Sequence, residues 1–181
     1  MSELTEKVIR AYFIAEEAHR GQTRRDGFEP FINHPVRVSY WAVKNISTFA
    51  NFKYVDVQAV ALLHDVIEDT HHTVESLKAE GMGGWADVVD VLSRKPDETY
   101  FDYIRGIKKY AEKQDGTHWK ENAAVLVKIA DIWDNVSDVP GSSRSEYIPN
   151  PEAISMIKRY SKALVILDAP RLETPSGPVF K

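Results

Sequence analysis

The stretch "ALLHDVIEDT", residues 61–70, is an apolar run that ends in ionisable groups: His64, Asp65, Glu68 and Asp69 fill four of six consecutive positions. Upstream, Val57 and Val60 continue the apolar character, so Asp56 to about Ile67 reads as a mostly buried helix. Residues four apart on a helix lie one above the other. His64 then stacks with Glu68, and Asp65 with Asp69. An imidazole nitrogen and a carboxylate oxygen suit a borderline divalent cation. A second carboxylate tier lies within reach of water beside that cation. Charges at a helix C-terminus are also often just solvated, although two acids there oppose the helix dipole. On this stretch alone, a wet helix end and a site both stand open.

Working outward, the rest of the chain also reads as helices. A helical period covers residues 4–19, and the Gly-, Pro- and charge-rich "GQTRRDGFEPFINHP" reads as a loop. Pro35 suits the first turn of the next helix, which runs on through Val36, Val38, Tyr40, Trp41 and Val43. "DTHHT" ends the central helix, and Thr73 reads as an N-cap. Helices follow at about 85–92, 99–111, 121–136 and 151–167. Pro140-Gly141 lies in a long loop, and Pro/Gly-rich sequence forms the tail. No segment has strand period and no internal repeat is present. The expectation is a single all-α domain of about seven or eight helices over 1–168, with a loose tail over 169–181.

Composition narrows the function classes. The chain has 181 residues, 43% of them hydrophobic, and a net charge of −4. That suits one packed domain and provides no basic field for nucleic acid. There are no cysteines, so disulfides, thiolate ligands and a Cys nucleophile are excluded. The charged N-terminus lacks a signal-peptide block, and no run is long enough to span a membrane. The expectation is a soluble, cytoplasmic protein with neither nucleic-acid nor membrane partners. Its oligomeric state cannot be read.

Other polar residues bear on the opening stretch. His34 stands in "FINHPVRV", at a helix start directly before a proline. Asp131 stands inside the apolar "VLVKIADIWDNV", where an unpaired carboxylate is costly. Asn135 lies four residues on, along the same face. Taken singly, His34 reads as a helix-start histidine and Asp131 as a salt-bridged core acid. Together, two histidines and two aspartates from three segments make a four-ligand set.

With these motifs in place, the sequence resembles the HD superfamily of metal-dependent phosphohydrolases. It most resembles the hydrolase domain of RelA/SpoT proteins and their small stand-alone relatives. "AHRGQTRRDGFEPFINHPVRV" is similar to that family's opening segment, "ALLHDVIEDT" to its central motif and "LVKIADIWDN" to its later Asp motif. The resemblance implies an HD-domain helical bundle with one divalent metal, typically Mn2+, held by His34, His64, Asp65 and Asp131. It implies that Glu68 and Asp69 handle the hydrolytic water and its proton. Asn135 would contact the nucleotide, and Arg24 and Arg25 would pack on guanine and its ribose phosphates. The implied reaction removes the 3′-pyrophosphate of (p)ppGpp, a guanine nucleotide, to give GDP or GTP. With the chain ending at Lys181, no synthetase domain is expected.

The sequence departs from the pattern at several positions. Ile132 follows the Asp where a basic residue is usual, and Asp134 precedes the Asn in place of His or Tyr. Phe31 replaces a Tyr, and "LSRKPDETYFDYI" replaces a Thr-Lys segment, with Arg94 and Lys95 left to supply charge. These changes raise two alternatives: an HD phosphohydrolase for a nucleoside monophosphate or NADPH, and a catalytically silent nucleotide sensor. Retention of both Glu68 and Asp69 argues for the enzyme. His71-His72, His19 and His118 read as loop or helix-end residues. Lys158, Arg159 and Tyr160 read as an exposed helix face with Tyr160 partly packed, and the four tryptophans as packing residues. Loop 137–150, with Arg144, is long enough to ask whether it closes over a ligand.

Overall fold

The computed structural model describes residues 3–44, 54–112, 119–137 and 151–169. The expectations for His118, Arg144, most of loop 137–150 and nearly all of the tail lie outside these residues, as does the side chain of Trp119. Nine helices run in the order α1 (Glu3–Ala18), α2 (Asn33–Lys44), α3 (Tyr54–Leu63), α4 (Val66–Asp69), α5 (Val74–Ala79), α6 (Gly83–Leu92), α7 (Tyr100–Glu112), α8 (Trp119–Ser137) and α9 (Pro151–Ile166) among the described residues. These residues contain no strand, only one isolated bridge between Thr23 and Pro30. None of the helices is long and apolar enough to cross a membrane.

Helix α3 sits at the centre. Val57, Ala59, Val60, Ala61, Leu62 and Leu63 are all buried, because the helix is apolar on every side. It packs against α1, α2, α6 and α8. Its one buried acid, Asp56, accepts a hydrogen bond from the Trp85 indole of α6 at 2.8 Å. Trp85 and Trp133 are buried, and Trp41 packs at the edge of the core. Tyr160 of α9 is buried, more fully packed than the partial packing expected of it, while Lys158 and Arg159 are exposed. The Thr73 cap is present: its hydroxyl accepts from the Ser76 amide, and Ser76 answers in a reciprocal box.

The central helix is not continuous. Residues 64 and 65 form a turn between α3 and α4, where the sequence predicts one helix through Ile67. His64 is the cause. Its Nδ1 donates to the Ala61 carbonyl at 2.8 Å, an oxygen that an unbroken helix would offer to the Asp65 amide. The ladder resumes with the Asp69 amide on the Asp65 carbonyl at 2.9 Å. The break adds one helix to the predicted number and turns His64 and Asp65 toward the space between α2 and α8.

Candidate metal centre

Three elements bring four side chains together. His34 comes from the first turn of α2, His64 and Asp65 from the α3–α4 turn, and Asp131 from the middle of α8. Ligand atoms of His34, His64 and Asp131 all lie within 4.8 Å of one another. His34 Nε2 is 3.2 Å from Asp131 Oδ1 and 3.5 Å from Asp65 Oδ2. His64 Nε2 is 3.1 Å from Asp65 Oδ2 and 3.7 Å from Asp131 Oδ1. His34, His64 and Asp131 are buried.

The donor set fits a cation. His64 Nδ1 faces a carbonyl, so it carries a hydrogen, and in the neutral ring Nε2 holds the lone pair. That Nε2 is buried and has no hydrogen-bond partner, despite its short distances to two carboxylates. The ligand atoms of the two rings and the carboxylates converge on a common point. An orphaned buried nitrogen is costly unless something else meets it. Asp131 is similarly sorted: Oδ2 takes the Lys128 ammonium at 2.7 Å, and Oδ1 faces the imidazoles. The Asn135 amide donates to the same Oδ1.

Charge tells the same story. Burial pulls the His34 imidazolium down, but Asp131, Asp134 and Asp65 outweigh it and raise the pKa to about 11. Burial likewise opposes the His64 imidazolium, and Asp65 and Asp131 lift it to about 9. Burial would raise Asp65 and Asp131, yet the histidines, with Lys128 for Asp131, hold both well below the carboxylate range. Protons on the two rings therefore stand where a divalent cation would supply charge. Raised histidine pKa values stabilise the fold below the unfolded value of about 6.5. That stability is lost as pH rises through about 9 and then about 11. Metal-free protein should therefore show a melting midpoint that falls between pH 7 and pH 10. Saturating Mn2+ should flatten that fall, and a calorimetric pH series checks both.

Glu68 and Asp69 stand on α4 at the lip of the cluster, and both residues are exposed. Glu68 Oε2 accepts the Arg94 backbone amide at 2.9 Å. Desolvation, followed by the negative charges of Asp65 and Glu68, pushes the Asp69 carboxyl up to about 6. Arg24 is 8% exposed at its side chain. It donates to Asn135 Oδ1 at 3.1 Å and lies over the Phe31 ring. A hydrogen-bonded line thus runs from the 20–32 loop through Arg24 and Asn135 to Asp131. Arg25 points elsewhere, exposed beside Met156 of α9.

The two departures in the Asp motif do not face the cluster's open side. Ile132 is fully buried in the core. Asp134 lies behind His34, hydrogen-bonded to its Nδ1, so it does not replace a ligand-facing group. Lys95 is ion-paired with Asp90 at 2.6 Å. His19 does end α1, but it is buried, stacked on Phe31 and bonded to Gln22. His71 and His72 stay apart from the cluster, with His72 near Thr70 and Glu80. Lys128 is a site residue that the sequence reading does not contain. A lysine inside "VLVKIADIW", three residues before an acid on the same face, was the available signal.

This arrangement is an HD-domain fold. No family model matches the chain. In sequence, the chain is 36% identical over 133 residues to the guanosine-3′,5′-bis(diphosphate) 3′-pyrophosphohydrolase of Haemophilus influenzae, a match covering 74% of this chain and 18% of that protein. It is 32% identical over 140 residues to the bifunctional (p)ppGpp synthase/hydrolase SpoT of Escherichia coli, covering 77% of this chain and 19% of SpoT. The chain spans less than a fifth of the length of these curated relatives. A solved structure described as a metazoan ortholog of SpoT that hydrolyzes ppGpp superposes with a TM-score of 0.66 at 24% identity, over 90% of this chain and 86% of that one. The resemblance to RelA/SpoT hydrolases thus extends across about three quarters of the chain.

Proposed function

We propose that the chain is a metal-dependent phosphohydrolase that removes pyrophosphate from the 3′-position of (p)ppGpp, with Mn2+ as its metal. The observation that carries this reading is the convergence of His34 Nε2, His64 Nε2 and Asp131 Oδ1 within 4.8 Å, with Asp65 Oδ2 against both rings. The names of the relatives supply the substrate class. Those four residues are assigned as ligands. A divalent cation bound there supplies Lewis acidity, lowering the pKa of water and drawing charge from phosphoryl oxygen.

The chain's own groups do the rest. Asp69, pushed up to about 6, is ionised at neutral pH and is a stronger base than an ordinary aspartate. It takes the proton of the attacking water. Glu68, held by the Arg94 amide, sets the second carboxylate beside it and passes the proton toward the leaving 3′-oxygen. Lys128 holds the outer oxygen of Asp131 and keeps its inner oxygen turned to the cluster. Arg24 and Asn135 form one polar edge for the nucleotide, and Arg25, beside Met156 of α9, would have to turn toward that edge to reach base or phosphate.

A product assay tests this reading. Manganese-loaded protein is offered ppGpp, GMP, dAMP and NADPH in parallel, with pyrophosphate and phosphate measured separately. Pyrophosphate from ppGpp alone is the expected result. Phosphate from another nucleotide, with ppGpp untouched, would overturn the substrate assignment.

A further inference from the structure

His34 is held from behind. Its Nδ1 lies 2.7 Å from Asp134 Oδ2. An ionised carboxylate only accepts, so Nδ1 carries the hydrogen. In the neutral ring that a cation would bind, the lone pair then belongs to Nε2, the atom facing Asp65 and Asp131. Asp134 is itself clamped. Arg37 Nε donates to Oδ1 at 2.6 Å and Nη2 donates to Oδ2 at 3.0 Å, a planar fork. Another nitrogen of the same guanidinium donates to Glu29. The Asp134 side chain is only 2% exposed, so water does not satisfy it, and its orientation is set by these partners.

We propose that Asp134 is a positioning residue for His34: it fixes the ring's tautomer and rotation so that Nε2 presents its lone pair to the cation, with Arg37 as the clamp on Asp134. This rests on the metal-centre reading above. The carboxylate stands where the RelA/SpoT pattern usually has His or Tyr. Outer-shell partners of this type typically change metal affinity by about 10- to 100-fold. An amide at position 134 can turn its NH2 toward His34 and favour the wrong tautomer.

The test titrates metal-free full chain with MnCl2 by calorimetry, comparing wild type, Asp134→Asn and Arg37→Gln. Asp134→Asn is expected to weaken Mn2+ binding by about 10- to 100-fold, and Arg37→Gln by a smaller factor. A second readout is specific to positioning. In zinc-loaded protein, the His34 Nδ1–H should give a slowly exchanging imidazole signal that Asp134→Asn abolishes. Should wild type bind no Mn2+, the metal-centre reading itself fails. Should wild type bind while Asp134→Asn binds within about twofold of it and keeps the imidazole signal, positioning by Asp134 is overturned and the metal centre stands. Should Asp134→Asn not fold, Arg37→Gln decides, since its side chain is 35% exposed and its loss is better tolerated. Unchanged affinity and an unchanged imidazole signal in that variant would overturn the clamp.

Discussion

Replacing Glu68 by Gln and Asp69 by Asn together is expected to cut turnover of ppGpp by about a hundredfold to ten-thousandfold. Bound manganese should remain at the wild-type ratio. The two substitutions keep shape. A glutamine in place of Glu68 still offers an oxygen to the Arg94 amide, the contact that anchors the native side chain. Neither carboxylate is among the atoms that converge between α2 and α8. What the variant lacks is a group able to accept the proton of water. Steady-state rates together with metal analysis check the prediction. Wild-type turnover in the double variant would remove the proposed roles of both residues, and loss of metal would make them ligands.

Asp131→Ala should act in the opposite way, releasing the metal and destabilising the fold. Asp131 is the partner of Lys128, whose side chain is 13% exposed. Breaking such a buried pair by removing one member typically costs about 3–5 kcal/mol, because the other charge is left uncompensated. For a chain of this size that is a drop of roughly 10 °C in melting midpoint. Adding Lys128→Met should recover much of the stability and none of the metal. That double variant separates the ion pair, which belongs to the fold, from the inner oxygen, which belongs to the site. Thermal denaturation and metal content, measured on the same preparations, give both readouts. Metal retained by Asp131→Ala would exclude Asp131 from the ligand set.

Much of the fold was legible because each helix carries a strong local signal. Pro35 in the first turn of α2, the Thr73 cap and the apolar α3 are sequence-local features. The gathering of His34, His64, Asp65 and Asp131 was readable for another reason: each interrupts apolar sequence, where a lone charge is expensive. The break at residues 64–65 was not readable. Periodicity continues through it, and only the His64 bond to the Ala61 carbonyl shows why the helix stops. The role of Asp134 is not readable from sequence because it depends on which face of α8 meets α2. Asp131 and Asp134, three apart, share that face, but one offers an oxygen to the cluster and the other turns to Nδ1 of His34. Lys128 was passed over because a lysine in a helix ordinarily snorkels to water. Its burial comes from packing against the Tyr103 ring and Asp131.

The central claim is the metal centre, and anomalous diffraction tests it most directly. Crystals soaked in MnCl2 would be measured on both sides of the manganese absorption edge. The account predicts one strong anomalous peak enclosed by His34 Nε2, His64 Nε2 and the carboxylates of Asp65 and Asp131. Saturated protein with no peak there, or with its manganese bound elsewhere, would contradict it.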